Sequence, residues 1–253
     1  MSGAPPALPE PYRLRRHATL PSTNDEAKRL AHAGAAAGTL VWALAQTAGR
    51  GRRGRVWTSP PGNLYFSLVL RPQAPAARVA QLGFVAALAL ADAIGGLGGP
   101  ALRLACKWPN DVLCNGRKIA GILLESETSG GGAVDFAILG IGVNLASSPT
   151  ATEFPATSLA EERAGPIAPG LLLERFAHDF AAWSGRWQDE GFAPVRLAWL
   201  ARASGLGETI RVRLEGGGLE GRFLDLDRDG ALMVEAAGAC RRIAAGEVFP
   251  ALR

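Results

Sequence analysis

Cysteine is scarce in this 253-residue chain: there are only 3, Cys106, Cys114 and Cys240, widely scattered and without a CxxC pair. That argues against a disulfide framework or a cysteine-built zinc site, and it suits a reducing, cytoplasmic compartment. Long uninterrupted apolar runs are missing as well. The richest, residues 79–97, contains Gln81 and Asp92 and ends in glycines, which predicts a buried helix and no membrane partner. The amino terminus lacks the basic-then-apolar order of a secretory leader, and residues 1–11, rich in proline and alanine, are expected to be a disordered lead. No glycine fingerprint opens a helix after a strand, so a dinucleotide fold is not indicated. Charge of one sign is not in large excess: Lys and Arg number 27 against 23 Asp and Glu, a net +4. A surplus this mild fits an anionic small ligand or an acidic protein partner better than a DNA duplex.

Much of that surplus sits in one stretch, Gly49-Arg50-Gly51-Arg52-Arg53-Gly54-Arg55. Such a segment cannot pack as core. Its glycines allow the backbone to approach a ligand closely, and guanidinium forks match phosphate or carboxylate oxygens two at a time. An arginine-glycine nucleic-acid tail or a plain solvated loop would share this composition. Strand-like runs on both sides, residues 40–44 and 64–70, make it instead a loop anchored at both ends by a sheet, where functional loops usually sit.

A first strand is expected over residues 12–20, then a helix from Ser22-Thr23-Asn24-Asp25-Glu26 to about residue 37, with Thr23 and Glu26 as a capping box. The strand over residues 39–46 ends at Gln46, whose amide can offer both a donor and an acceptor to a ligand or simply close the strand. An apolar helix follows over residues 76–94. The segment Lys107-Trp108-Pro109-Asn110-Asp111 then collects polar and aromatic groups at a strand end, and Asn115-Gly116 predicts a type I′ hairpin turn. Period-two counting puts Lys118 on one strand face with Ala120, Ile122 and Leu124, and Gly121 on the opposite face. Both faces are apolar, so Lys118 is a charge at the buried start of a central strand; either Asp111 or a ligand anion could pair with it. After a turn over residues 126–132, a strand over residues 133–145 carries Gly140 and Gly142, which leave one face bare enough for a flat ligand. Helices are expected over residues 171–188 and 194–203. Beyond Gly207 short alternating strands over residues 209–214, 219–226, 231–236 and 241–244 predict a small β-barrel of SH3-like size.

These motifs, taken in order, resemble the biotin protein ligases: Ser22-Thr23-Asn24, Gln46 with the arginine loop, Trp57 and Ser59-Pro60, Lys107-Trp108-Pro109-Asn110-Asp111, Arg117-Lys118 with Ala120-Gly121, and Gly140-Ile141-Gly142-Val143-Asn144. The likeness covers nearly the whole chain after Pro11, and its one departure is Ile141, where many relatives have alanine. It implies an α+β fold, a mixed β-sheet backed by helices (the class II synthetase-like biotin/lipoate ligase fold), with a small C-terminal SH3-like β-barrel. It divides the chain into a catalytic biotin- and ATP-binding domain over residues 12–204 and a C-terminal domain over residues 205–253. With only about ten residues ahead of the catalytic region, the chain looks like the monofunctional form without an N-terminal DNA-binding domain.

The resemblance also implies a reaction in two steps: biotin and Mg-ATP give biotinyl-5′-AMP and pyrophosphate, and a lysine of a biotin carboxyl carrier domain then attacks the mixed anhydride. Joining a carboxylate to the α-phosphate brings two anions together, so cationic groups must screen and align them. By resemblance Lys118, Arg50, Arg52 and Lys107 do this, with Asp111 either orienting or deprotonating the incoming amine or fixing Lys118 or the ligand by a hydrogen bond. Biotin would be held by Ser22, Thr23, Asn24, Gln46, Arg50, Gly51, Arg52, Lys118, Gly121 and Gly142. ATP would be held by Arg50, Arg52, Arg53, Trp57, Lys107, Asn110, Lys118 and Asn144, with Trp57 beside the adenine. Mg2+ is expected with ATP, held by phosphate oxygens and water and without a protein cage. The arginine loop is expected to order over the labile intermediate and keep water out. A homodimer through a sheet edge is compatible with the sequence. The rivals are a lipoate ligase or octanoyl transferase of the same ancestral fold, and a non-enzymatic nucleic-acid binder.

Overall fold

The computed structural model describes residues 6–128 and 131–251. The first sheet has 7 strands in the order β1-β2-β3-β7-β6-β5-β4. Here β1 is Arg13–Leu20, β2 Thr39–Gln46, β3 Leu64–Leu70, β4 Leu104–Lys107, β5 Asp111–Cys114, β6 Arg117–Glu127 and β7 Phe136–Val143. Only the β1–β2 pair is parallel; the others are antiparallel, so the sheet is mixed as expected. Apolar residues occupy both faces of its central strands. Val41, Val69 and Ile138 pack under α1, Thr23–His32. Leu40, Phe66, Leu139 and Ile141 join the main core with α3, Leu82–Gly98, and α4, Pro169–Glu190. Two shorter helices, α2 at Ala76–Ala80 and α5 at Phe192–Leu200, complete this layer.

A second sheet of 5 antiparallel strands, order β11-β10-β9-β8-β12, forms the C-terminal unit. Its strands are β8 Thr209–Leu214, β9 Gly217–Leu226, β10 Leu232–Ala236, β11 Ala239–Ile243 and β12 Glu247–Pro250. Leu226, Leu232 and Val234 belong to the same buried cluster as Phe84 of α3 and Trp199 of α5, so one core runs through both sheets.

Several expectations need correction. The cap of α1 is Ser22, whose hydroxyl accepts from the Asp25 N–H at 3.4 Å, and the helix stops at His32. Thr23 is free of capping because its own N–H and hydroxyl turn to Gln46. The helix expected over residues 76–94 breaks at Gln81 and runs on to Gly98, where Gly99 at φ 83° ends it. Taken together Ala76–Gly98 is long and apolar enough to cross a membrane, contrary to the sequence reading, yet 78% of its apolar 18-residue stretch is buried within the fold, as expected of a buried helix. Its polar residues take partners inside: Gln81 accepts from the Trp187 indole at 2.9 Å, and Asp92 accepts from Trp183 and pairs with Arg202. The fifth C-terminal strand, β12, was not foreseen. Residues 1–5 of the expected lead, and residues 129–130 of the expected 126–132 turn, lie outside the described residues.

Candidate active site

The upper sheet face that packs under α1 continues past the start of that helix, and there it becomes the floor of a cavity of about 500 Å³. Strand register decides what the floor contains. Gly142 of β7 pairs with Gly121 of β6, which pairs with Asp111 of β5, while Lys107 of β4 faces Asp111 in turn. Cross-strand partners share a face, so four strands deliver these residues to one side. Lys118 joins them through a bulge. Leu113 pairs with Lys118 while the next pair is Val112 with Ala120, which leaves Ile119 as the extra residue. The bulge corrects the period-two assignment: Lys118 lies on the Gly121 face, its Cε within 3.5 Å of where a Gly121 Cβ would stand, while Ala120 and Ile122 turn into the core. A main-chain ladder to the loop beyond β7 holds this arrangement, with Lys118 N–H donating to Pro155 O at 2.7 Å and Thr157 N–H to Lys118 O at 2.9 Å.

Asp111, only 9% exposed at its side chain, stands between two ammonium groups. Lys118 Nζ is 2.6 Å from Oδ1 and Lys107 Nζ 3.2 Å from Oδ2. The Lys118 contact is off the ideal hydrogen-bond direction, but at that distance an ammonium is the oxygen's ionic partner. Burial works to raise the Asp111 pKa, and Lys118 and Lys107 together outweigh it and hold the carboxyl below its usual value. Burial pushes Lys107 down, against the pull of Asp111. Phe154 and Phe249 lie 4.6 and 5.7 Å from the Lys107 ammonium, so it is wrapped in rings instead of water. Two cations share one carboxylate, which leaves an unspent positive charge facing the cavity.

The glycine-bared floor is not empty. The Trp57 indole lies on it: a Cβ on Gly142 would be 2.5 Å from ring atoms of Trp57, and one on Gly121 3.0 Å. The Lys118 ammonium is 5.4 Å from the same ring, and the indole N–H has no hydrogen-bond partner among the described residues. Gly140 is covered by Asn24, whose Oδ1 would be 2.0 Å from an added Cβ. The space read from sequence as room for a flat ligand is thus taken, at Gly140 and Gly142, by the chain's own side chains.

A polar wall stands opposite the lysines. Gln46 accepts from the Thr23 N–H at 2.8 Å and donates to Ser59 Oγ at 2.9 Å. Ser67 Oγ lies 2.8 Å from Thr23 Oγ1 and 2.6 Å from Asn24 Oδ1, and Asn24 donates to Glu125 at 2.6 Å. Ser67 and Glu125 were missed in the sequence. A serine wholly buried in the otherwise apolar β3 was the available signal, since buried hydroxyls need partners.

The arginine loop closes the remaining side. Arg50 pairs with Asp25 in the first turn of α1, and Arg52 donates to Asn110 Oδ1 at 3.3 Å and to Gly246 O at 3.4 Å. Burial, and to a lesser degree Arg53, lowers the Arg52 pKa. Gly51 approaches Arg55, its N–H donating to the Arg55 carbonyl at 2.7 Å. Asn110 donates to Ile122 O at 2.6 Å, and Asn144, at the end of β7, donates to Thr157 O at 3.0 Å. Every residue expected to act in catalysis or to hold biotin or ATP lines this cavity except Arg53, which is exposed on the loop at φ 55°. Arg50, Lys107 and Lys118 face one space. The C-terminal sheet contributes Glu247 and Phe249 to the rim, and the segment after β7 contributes Glu153 and Phe154; none of these stood out in the sequence.

A mixed sheet whose floor gathers cations around one carboxylate, beside a polar wall and under an arginine loop, defines a ligase-type enzyme that brings anionic groups together. Comparison with known proteins makes the class specific. Residues 17–144 match the biotin/lipoate A/B protein ligase family, and residues 205–249 match the biotin protein ligase C terminal domain. The chain is 49% identical to the biotin–acetyl-CoA-carboxylase ligase of Paracoccus denitrificans, over 90% of this chain and 96% of that protein. The biotin protein ligase from Aquifex aeolicus in complex with biotin and ATP superposes with a TM-score of 0.79 at 28% identity, covering 94% of this chain and 97% of the other. That of Leishmania major with biotinyl-5-AMP gives 0.64 at 30%, covering 94% and 100%. The chain belongs to the biotin protein ligase family.

Proposed function

We propose that this protein is an ATP-dependent biotin protein ligase. It joins the biotin carboxylate to the α-phosphate of ATP, forming biotinyl-5′-AMP and pyrophosphate, and then passes the biotinyl group to a lysine amine on the carboxyl carrier domain of a biotin-dependent carboxylase. The observation that carries this reading is the Lys107–Asp111–Lys118 cluster on the cavity floor. One carboxylate cannot neutralise two ammonium groups, so the site is set to receive an anion, and a low-dielectric setting strengthens that attraction. In this reading Lys118 lies against the reacting carboxylate and phosphate, Lys107 and Asn110 hold the polyphosphate, and Arg50 and Arg52 close over the adduct. The Gln46–Thr23–Asn24 wall, backed by the buried Ser67, suits the polar ureido head of biotin, and it argues against the more apolar acid of a lipoate ligase. A nucleic-acid role is disfavoured because Arg50 and Arg55 are already paired with carboxylates.

Mg2+ fits as part of the nucleotide substrate. Asp111, Glu153 and Glu247, the acidic residues lining the cavity, are each paired with lysine or arginine, so a divalent ion would be carried by phosphate oxygens, whose charge it neutralises. A cytoplasmic setting accords with three free thiols, and a homodimer would have the edge strand β1 available for pairing.

The test is direct: purified protein, biotin, ATP and a carrier domain, with pyrophosphate release and the carrier's mass shift as readouts. Labelled lipoate offered in place of biotin should not be incorporated. Lys118→Ala is expected to cut pyrophosphate release by about 10²–10³, the usual cost of deleting one group that stabilises developing charge. Undiminished release would refute the assignment of Lys118.

A further inference from the structure

Four charged side chains form a line across the rim of the cavity: Arg55, Glu247, Arg213 and Glu153. Glu247 and Arg213 are directly opposite each other on neighbouring strands β12 and β8 of the C-terminal sheet. The Glu247 carboxylate is mostly buried, 11% exposed, and a single oxygen of it takes both Arg55 and, at 3.6 Å, Arg213. The Arg213 guanidinium donates to both carboxylate oxygens of Glu153, to Oε1 from Nη2 and to Oε2 at 3.0 Å from Nη1, the same nitrogen that lies near Glu247. Phe249, two residues along β12, lies under Arg213 at 4.7 Å and keeps the fork in place.

The outer members of this line belong to the two walls of the cavity that have least structure of their own. Arg55 ends the arginine loop, whose Arg52 also reaches the Gly246 carbonyl of the C-terminal sheet. Glu153 belongs to the segment after β7 that carries Phe154 onto Lys107 and meets β6 at the bridge between Ala156 and Lys118. Resting on the ligase reading above, we propose that the C-terminal sheet is a clamp: Glu247 and Arg213 are positioning residues that hold the arginine loop and the residue 149–156 segment together over the activated biotin. Arg55, Arg213 and Glu153 are about half exposed, so each pair is individually weak. Weakness suits the task, because the walls must part for substrates and for the carrier. Glu247 is the exception: without its charge, Arg55 and Arg213 face each other with like sign around a buried amide.

The experiment uses the full chain and two readouts. With biotin, ATP and carrier present, pyrophosphate released per carrier biotinylated measures escape of the intermediate to water. Glu247→Gln should raise that ratio about fivefold, Arg213→Met less, and the double variant no more than Glu247→Gln alone, as expected if the two residues act through one linked contact worth about 1 kcal/mol. Salt should raise the wild-type ratio and leave that of Glu247→Gln nearly flat. Without any substrate, trypsin should cut the arginine loop faster in both variants than in the wild type, at unchanged thermal stability. An unchanged ratio and equal trypsin protection in the variants, or strictly additive effects, would overturn the clamp. A wild-type protein that releases no pyrophosphate from biotin and ATP would instead overturn the ligase reading, and the trypsin comparison would still judge the contact.

Discussion

Asp111 does at the scale of one residue what a ligand would otherwise have to do: it keeps two ammonium groups, Lys107 buried and Lys118 partly so, from repelling each other across β4, β5 and β6. Asp111→Asn is therefore expected to destabilise the protein by about 3–5 kcal/mol, the cost of leaving buried charges uncompensated, measured by urea unfolding. Its pH behaviour has a definite sign. The folded carboxyl lies below the unfolded value of 3.8, so its stabilisation is complete above that range and fades as pH falls through the folded value. Stability profiles from pH 6 down to 3 should lose much of their acid limb in Asp111→Asn. Gly142 permits a second residue-scale prediction. A methyl group there would stand 2.5 Å from Trp57, so Gly142→Ala should expel the indole from the floor, visible as a shift in tryptophan fluorescence and a loss of adenylation. An unshifted spectrum would mean that the ring is held by something other than the bare glycine.

Elements divide into those that local sequence specifies and those that neighbours specify. Asn115-Gly116 reads as a type I′ turn, and the two residues adopt φ 49° and 79°. Asn115→Val should cost about 1–2 kcal/mol because a branched side chain is strained in the left-handed region, with Asn115→Gly less damaging; chemical denaturation distinguishes them. The bulge three residues on was not legible. Both faces of β6 are apolar around Ile119, so nothing in the pattern marks where alternation skips, and the skip follows from the main-chain bonds to Asn110, Asn144 and Pro155. β12 was missed for a related reason: Glu247–Pro250 is short, follows a glycine and ends in proline, and its strand character comes from pairing with β8. The cap of α1 moved from Thr23 to Ser22 because the Thr23 hydroxyl has a better use with Gln46 and Ser67.

On the scale of the whole molecule, the C-terminal sheet is fastened to the helical layer and not merely tethered to it. Trp108 donates to Gly230 O at 3.1 Å, Arg196 binds Leu226 O at 2.6 Å, and Gly230 sits over Phe84 so closely that a Cβ would come within 2.6 Å of the ring. Scanning calorimetry should accordingly show one unfolding transition. Gly230→Val, which adds that clash to a φ of 89°, should split the transition or lower its midpoint by several degrees, about the size expected for a loss of 1–2 kcal/mol. The chain by itself determined the alternation of strands and helices, the hairpin and the chemical character of the arginine loop, because these follow from short-range periodicity, turn chemistry and residue type, and its ordered motifs, through the family they resemble, named candidate site residues that all line the cavity except Arg53. Only the tertiary structure decided that Lys118 turns toward Gly121, that Trp57 and Asn24 fill the bare glycines, and that Glu247, nearly two hundred residues away, meets Arg55: such facts depend on strand register and on which distant surfaces pack, and local sequence carries no record of either.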